Sequence, residues 1–258
     1  MNTTRRAFLK LAAMAALGVG AGSFEFLDHG VALASGLPDP ALYASGIKAA
    51  RWGMVVFTDK CTPERIAACR AACHREHNVP DIPGRQEIKW FWGAPFAEAF
   101  PEQEGGYPAS DVASRTFPLL CNHCQSPMCV KVCPTQATFQ RPDGIVMMDY
   151  HRCIGCRYCM AGCPYGARSF NFQDPRPFLR TPNPDFPTRT KGVVEKCDFC
   201  AERLALGKLP VCVEASEGAL VFGDLSDEDS VVRRALREHF ALRRKPDAGT
   251  SPCVYYIV

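Results

Sequence analysis

The reading of the fold turns on two runs that follow one another in the chain, Cys121-Asn122-His123-Cys124-Gln125-Ser126-Pro127-Met128-Cys129-Val130-Lys131-Val132-Cys133-Pro134 and Cys153-Ile154-Gly155-Cys156-Arg157-Tyr158-Cys159-Met160-Ala161-Gly162-Cys163-Pro164. In shorthand they are C-x2-C-x4-C-x3-C-P and C-x2-C-x2-C-x3-C-P. Two residues between thiols let a loop wrap a compact metal group and present three sulfurs to it, while a fourth ligand has to come from elsewhere. The proline after each fourth cysteine turns the chain away. Structural zinc sites use one or two C-x2-C pairs, not eight cysteines in runs of this kind. A disulfide scaffold fits no better, because cysteines two residues apart seldom pair with each other and the total of 15 Cys is odd.

The tandem runs match the bacterial ferredoxin pattern, in which the first three thiolates of a run hold one [4Fe-4S] cube and the fourth ligates the other. That resemblance assigns Cys121, Cys124, Cys129 and Cys163 to cluster 1. Cys133, Cys153, Cys156 and Cys159 fall to cluster 2.

Two further segments carry cysteines. One is Cys61-x7-Cys69-x3-Cys73; the other is Cys197-x2-Cys200-x11-Cys212, which continues as Val213-Glu214-Ala215-Ser216-Glu217-Gly218-Ala219 and Phe222-Gly223-Asp224-Leu225. With the tandem core, these segments resemble the iron–sulfur subunits of the complex iron–sulfur molybdoenzyme type, which usually carry four cubanes in two pseudo-symmetric pairs. The resemblance spans roughly residues 50–240. The exchange logic of that family implies a cluster 3 on Cys73, Cys197, Cys200 and Cys212. It leaves Cys61, Cys69 and Ser216 as an incomplete fourth site: Ser216 stands where a fourth cysteine would end its motif, and the first motif lacks one thiol. Three [4Fe-4S] clusters are therefore expected. The alternative is a degenerate fourth that recruits the lone Cys253, which is more simply a small buried hydrophobe.

A narrower stretch, Cys73-His74-Arg75-Glu76-His77-Asn78-Val79-Pro80 followed by Glu87-Ile88-Lys89-Trp90, is similar to the exported DsrO-type iron–sulfur subunits of DsrMKJOP complexes in sulfur-metabolising bacteria. That resemblance implies an NrfD-like membrane subunit and a multihaem cytochrome c as partners, with electrons passing to or from the quinone pool. His74, His77, His123 and His151 lie near the motifs, where they could tune potentials through hydrogen bonds to sulfur. Ordinary polar or surface roles are the simpler account of them, because the cysteine sets are already complete, and Met128 is packing.

The N-terminus reads Thr4-Arg5-Arg6-Ala7-Phe8-Leu9-Lys10, then an Ala/Gly-rich apolar run to Phe24 and a small-residue Ala32-Leu33-Ala34. Residues 1–34 are expected to be a twin-arginine export signal, which places the protein in the periplasm. Such a route carries chains folded in a reducing cytoplasm, and this favours thiolate–metal ligation over disulfides. The formal charge of +3 over 258 residues gives no electrostatic case for nucleic acid. Beyond residue 34 no run of 18 or more apolar residues is present, so no transmembrane helix is expected there.

The fold expected is α+β, with two pseudo-symmetric bacterial ferredoxin-like cluster-binding halves and loop-rich insertions. Residues 116–172 form the tandem domain, and 50–80 with 190–225 form the second half. Residues 81–115 are an insertion whose Trp90, Phe91, Trp92, Phe96 and Phe100 fill core. Residues 173–189 are a Pro-rich crossover, and 226–258 a C-terminal helix and tail, the helix capped by Ser226. No catalytic residue is assigned, since nucleophile–base pairs, phosphate loops and nicotinamide fingerprints are absent. The competing readings are an enzyme with an open iron near Cys61 and Cys69, and a structural zinc or disulfide protein.

Overall fold

The computed structural model describes residues 46–103 and 106–258; the expected export signal lies outside them. The chain enters through β1 (Trp52–Phe57), a β-branched and aromatic run buried along almost its whole length. Helix α1 (Pro63–Glu76) follows. Its start is set by Thr62, whose hydroxyl accepts from the Arg65 N–H, and by Pro63 at the first helical position.

The insertion holds β2 (Phe91–Pro95), α2 (Phe96–Ala99) and α3 (Ser110–Ala113). Strand β2 pairs antiparallel with β3 (Thr116–Leu120), so the insertion and the tandem domain share a ribbon. Trp90, Phe91, Phe96 and Phe100 are buried, and Phe100 meets Phe117 and Tyr256 edge-on at 5.3 and 5.4 Å. The tandem runs then supply α4 (Met128–Lys131), the hairpin β4 (Thr138–Gln140) with β5 (Val146–Met148), and α5 (Tyr158–Ala161). Strands β6 (Ser169–Phe170) and β7 (Val194–Glu195) pair across the Pro-rich crossover, which forms only a short 3-10 turn at Arg176–Phe178. Helices α6 (Ala201–Ala205) and α7 (Val211–Glu214) lead to β8 (Leu220–Asp224), α8 (Val231–Glu238), β9 (Ala241–Leu242) and β10 (Val254–Ile257).

The main sheet runs β8-β1-β10-β9, with β1 antiparallel to β8 and parallel to β10 from Met54 opposite Val254 to Phe57 opposite Ile257. Two expectations for 226–258 are corrected here. Ser230, not Ser226, caps α8, because its hydroxyl accepts from the Arg233 N–H while the Ser226 N–H is tied to the Asp224 carboxylate. The last residues are also no loose tail, since Val254 and Tyr256 are fully buried between neighbouring strands. The run before β10 straps the first tandem motif: Gln125 and Ser126 donate to the Ser251 and Thr250 carbonyls, and the Cys253 N–H donates to the Asn122 carbonyl.

Candidate metal centres

Three of the four cysteine segments share one local shape. In each C-x2-C loop the residue before the second cysteine is left-handed: His123 at φ 40°, Gly155 at φ 70° and Phe199 at φ 58°. Left-handed non-glycine residues cost of order 1–3 kcal/mol and persist where surroundings over-determine them. At such a turn, successive N–H groups converge into a concavity that binds anions, including Fe–S groups. Gly155 has no alternative residue, since a Cβ there would lie 2.5 Å from the Gly192 carbonyl oxygen.

The third cysteine of each motif is the second residue of a one-turn helix: Cys129 in α4, Cys159 in α5 and Cys212 in α7. Four residues on, the chain folds back identically in all three. The N–H groups of Cys133, Cys163 and Ser216 donate to the carbonyls of Val130, Met160 and Val213, each at 3.2 Å. Ser216 therefore occupies the geometric place of a fourth ligand.

Cys121, Cys124, Cys129 and Cys163 line one cavity together with Val146, Gly162, Arg168 and Thr250. Burial pushes the Cys124 thiol up to about 12, and the nearby Cys121, Cys129 and Cys163 add to it. Such crowding of buried thiols is unfavourable for thiolates alone and suits them to a cationic metal group, whose binding would release their protons. A second crowded set consists of Cys73, Cys197, Cys200 and Cys212, all buried. Burial raises Cys73 and Cys200 well above the ordinary thiol range, and each feels Cys212 as a neighbour. In the remaining set Cys156 is exposed and Cys159 is raised by burial, with Cys129 and Cys153 as neighbours. For Cys133 burial acts upward, but the Thr138 amide, the Thr135 hydroxyl and the amides of Thr135 and Ala137 outweigh it and hold the thiol below its ordinary value. Both the donor sets and their amide cradles fit a thiolate-ligated cluster.

The sets adjoin in a fixed order. Cys129 neighbours Cys159, and Cys121 neighbours Cys197, so the set of Cys121 lies between the other two. His123 stacks on Phe199 with ring centroids 3.7 Å apart across the second junction. It accepts from the Val146 N–H through Nδ1, and burial followed by the Lys196 and Arg168 charges keeps it neutral.

Cys61, Cys69 and Ser216 are occupied differently. The Cys61 and Cys69 thiols donate to the carbonyls of Phe57 and Cys212 at 3.2 and 3.3 Å. Ser216 is fully buried, donates its hydroxyl to the Val213 carbonyl at 2.7 Å and accepts from the Leu220 N–H at 3.0 Å. Cys253 sits elsewhere, beside Arg51 and Cys121. Among the histidines, His151 is exposed, and His74 is pushed down to about 4, chiefly by burial. His77 lies 3.8 Å from the Cys73 sulfur through Nδ1 and 2.9 Å from Glu202 through Nε2, and it stacks on Trp90. His77, Cys200 and Glu202 bring their donor atoms within 4.8 Å of one another, at the edge of the set of Cys73.

Four residues that sequence reasoning did not single out shape the sites: Arg168, Lys196, Arg189 and Glu195. Arg168 and Lys196 are buried cations beside cysteines. Lys196 donates to the carbonyls of Val146 and Cys197, bridging the two adjoining sets, and its position next to Cys197 was the one available signal. Arg189 and Glu195 form a fully buried ion pair at 2.7 Å. Arg189 also donates to the carbonyls of His77 and Asn78, and Glu195 accepts from the Trp90 indole at 2.8 Å. This clamp ties the chain leaving Cys73 to the chain entering Cys197.

Residues 112–175 match the family described as a 4Fe-4S dicluster domain. The chain is 44% identical over 229 residues to the Hdr-like menaquinol oxidoreductase iron-sulfur subunit 1 of Archaeoglobus fulgidus, covering 80% of this chain and 82% of that protein. It is 36% identical over 236 residues to the iron-sulfur cluster-binding subunit of menaquinone reductase from Nitratidesulfovibrio vulgaris, with 80% and 88% covered. A tetrathionate reductase subunit of Salmonella typhimurium matches at 36% identity over 210 residues, with 80% and 72% covered.

Proposed function

This chain belongs to the family of iron–sulfur subunits of oxidoreductase complexes, and from that premise we propose that it relays electrons through three [4Fe-4S] clusters and performs no bond-making chemistry itself. Cluster 1 is held by Cys121, Cys124, Cys129 and Cys163, cluster 2 by Cys133, Cys153, Cys156 and Cys159, and cluster 3 by Cys73, Cys197, Cys200 and Cys212. The single observation that carries this count is the left-handed C-x2-C loop, present in three motifs and missing from the segment of Cys61 and Cys69. The serine at position 216, whose hydroxyl is tied to Val213 and Leu220, supports a fourth site that holds nothing.

When bound, the clusters supply one-electron redox chemistry, with potentials set by burial, charge and hydrogen bonds to sulfur. The residues of the chain do the rest. The amide cradles orient thiolates, and the aromatic packing around Trp90 and Phe199 excludes water. The sequence of sets gives a wire running from cluster 2, near the surface at Cys156, through cluster 1 to buried cluster 3.

The two halves are pseudo-symmetric in this reading, supported by the common fold-back at Cys133, Cys163 and Ser216. The protein acts in the periplasm after twin-arginine export, as Arg5-Arg6 suggests, bound to an NrfD-like membrane subunit that exchanges electrons with quinone. The quinone-linked names of two relatives support that partner, and among the described residues no helix is long and apolar enough to cross a membrane. A multihaem cytochrome c at the other end, and a place in sulfur metabolism, follow from the similarity to DsrO-type subunits. Iron and acid-labile sulfide per chain on anaerobically purified protein test the cluster count. About 12 irons are expected from three cubes; about 16 would restore the fourth site, and iron near zero in a folded protein would overturn the relay.

A further inference from the structure

Arg168 is 4% exposed, yet among the described residues no carboxylate forms an ion pair with it. Its guanidinium is fixed by two neutral partners, donating to the Thr138 hydroxyl at 2.7 Å and to the Met148 sulfur at 3.1 Å. The charges that act on it most strongly are cysteine sulfurs: Cys129 and Cys159 first, then Cys121. Arg168 also lines the cavity of Cys121, Cys124, Cys129 and Cys163, while Cys159 belongs to the neighbouring set. A buried cation needs a counter-charge, since desolvation costs several kcal/mol per ion. Four thiolates around an oxidised cubane leave a net dianion, and reduction makes it a trianion.

We infer that Arg168 is a fixed counter-charge shared by clusters 1 and 2 and that it raises the reduction potentials of both. The inference rests on the ligand sets proposed above. A positive charge at the junction stabilises whichever cube holds the extra electron, so it lowers the cost of reducing either without favouring one side of the hop. Cluster 3 is the internal control. Its nearby charges have both signs, Lys196 against Asp198 and Glu202, and Asp198 feels Lys196 directly.

The test is an EPR-monitored redox titration of the anaerobically purified holoprotein, with iron counted in every sample. In Arg168→Met, which keeps an apolar stem, two of three clusters should fall in potential. At their wild-type midpoints the ratio of reduced to oxidised cluster should drop about tenfold, or about 59 mV for a one-electron couple. The third cluster should not move. Arg168→Lys keeps the charge on a shorter side chain and should lower the same pair by less. If the methionine variant loses its iron, the neutral Arg168→Gln, which can still donate to the Thr138 hydroxyl, takes its place, and unchanged potentials there overturn the inference. So do unchanged potentials in an iron-replete Arg168→Met, an equal shift of all three clusters, or equal shifts in the neutral and lysine variants. Absence of clusters from the wild type would instead sink the ligand sets, an outcome that the iron count keeps separate.

Discussion

The loop Cys197–Cys200 and the segment Cys61–Cys73 both contribute to one group of buried thiols, with α1 packed against α7, yet they treat their cysteines in opposite ways. The first strains its backbone, placing Phe199 and Cys200 at positive φ so that thiols and amides converge. The second relaxes into a capped 14-residue helix, in which Cys69 and Cys73 are one turn apart: Cys73 neighbours the Cys197 and Cys212 thiols, while the Cys69 thiol is spent on the Cys212 carbonyl. A helix satisfies its own N–H groups, so it has none left to turn toward a cluster. On the proposed count of three clusters, the missing thiol and the regular helix are two aspects of one loss, and backbone shape separates the motifs along the same line as the cysteine count.

Cysteine replacements break this comparison most sharply. Cys73→Ala should remove about four irons per chain, the content of one cube, along with one EPR signal, while Cys61→Ala should leave iron unchanged. Equal losses from both would show that the helical segment is as active as the strained loop. The next effect is on stability. Arg189→Met leaves Glu195 as an uncompensated buried charge, which costs about 3–5 kcal/mol, and it releases the carbonyls of His77 and Asn78. Lower thermal stability, with cluster 3 lost before clusters 1 and 2 on heating, is expected by calorimetry and visible absorption. Simultaneous bleaching of all clusters would mean that the clamp serves the whole fold and not the junction of Cys73 with Cys197.

Much of the site was legible in the sequence because thiol spacing is a short-range property. The structure brings Cys163 to Cys121, and Cys73 to Cys197, where the exchange pattern puts them. The burial of Trp90, Phe91, Phe96 and Phe100 was legible too, because large aromatic side chains carry much buried area. The place of β10 was not, since a four-residue strand carries no mark of its parallel partner some 200 residues away. Nor were the buried charges. Arg168, Arg189 and Glu195 look like surface residues until the tertiary fold encloses them, and only their partners give them a role.

The comparison is sharpened by restoring a ligand without restoring the backbone around it. Ser216→Cys places a thiol at the fourth position of its motif, where the fold-back already matches that at Cys133 and Cys163. If ligand identity alone had been lost, Cys61, Cys69 and the new thiol would gather iron. If a cluster needs the strained loop, iron stays at about three cubes' worth, because no C-x2-C turn faces that thiol. The substitution should also cost about 1–3 kcal/mol. The Ser216 hydroxyl donates to the Val213 carbonyl and accepts from the Leu220 N–H, and a thiol is a poor replacement in both roles. Iron per chain together with the midpoint of denaturant unfolding separates the cases: added iron with raised stability would refute the backbone account, whereas unchanged iron with a lower midpoint would show that Ser216 now serves as a structural cap inside a former ligand position.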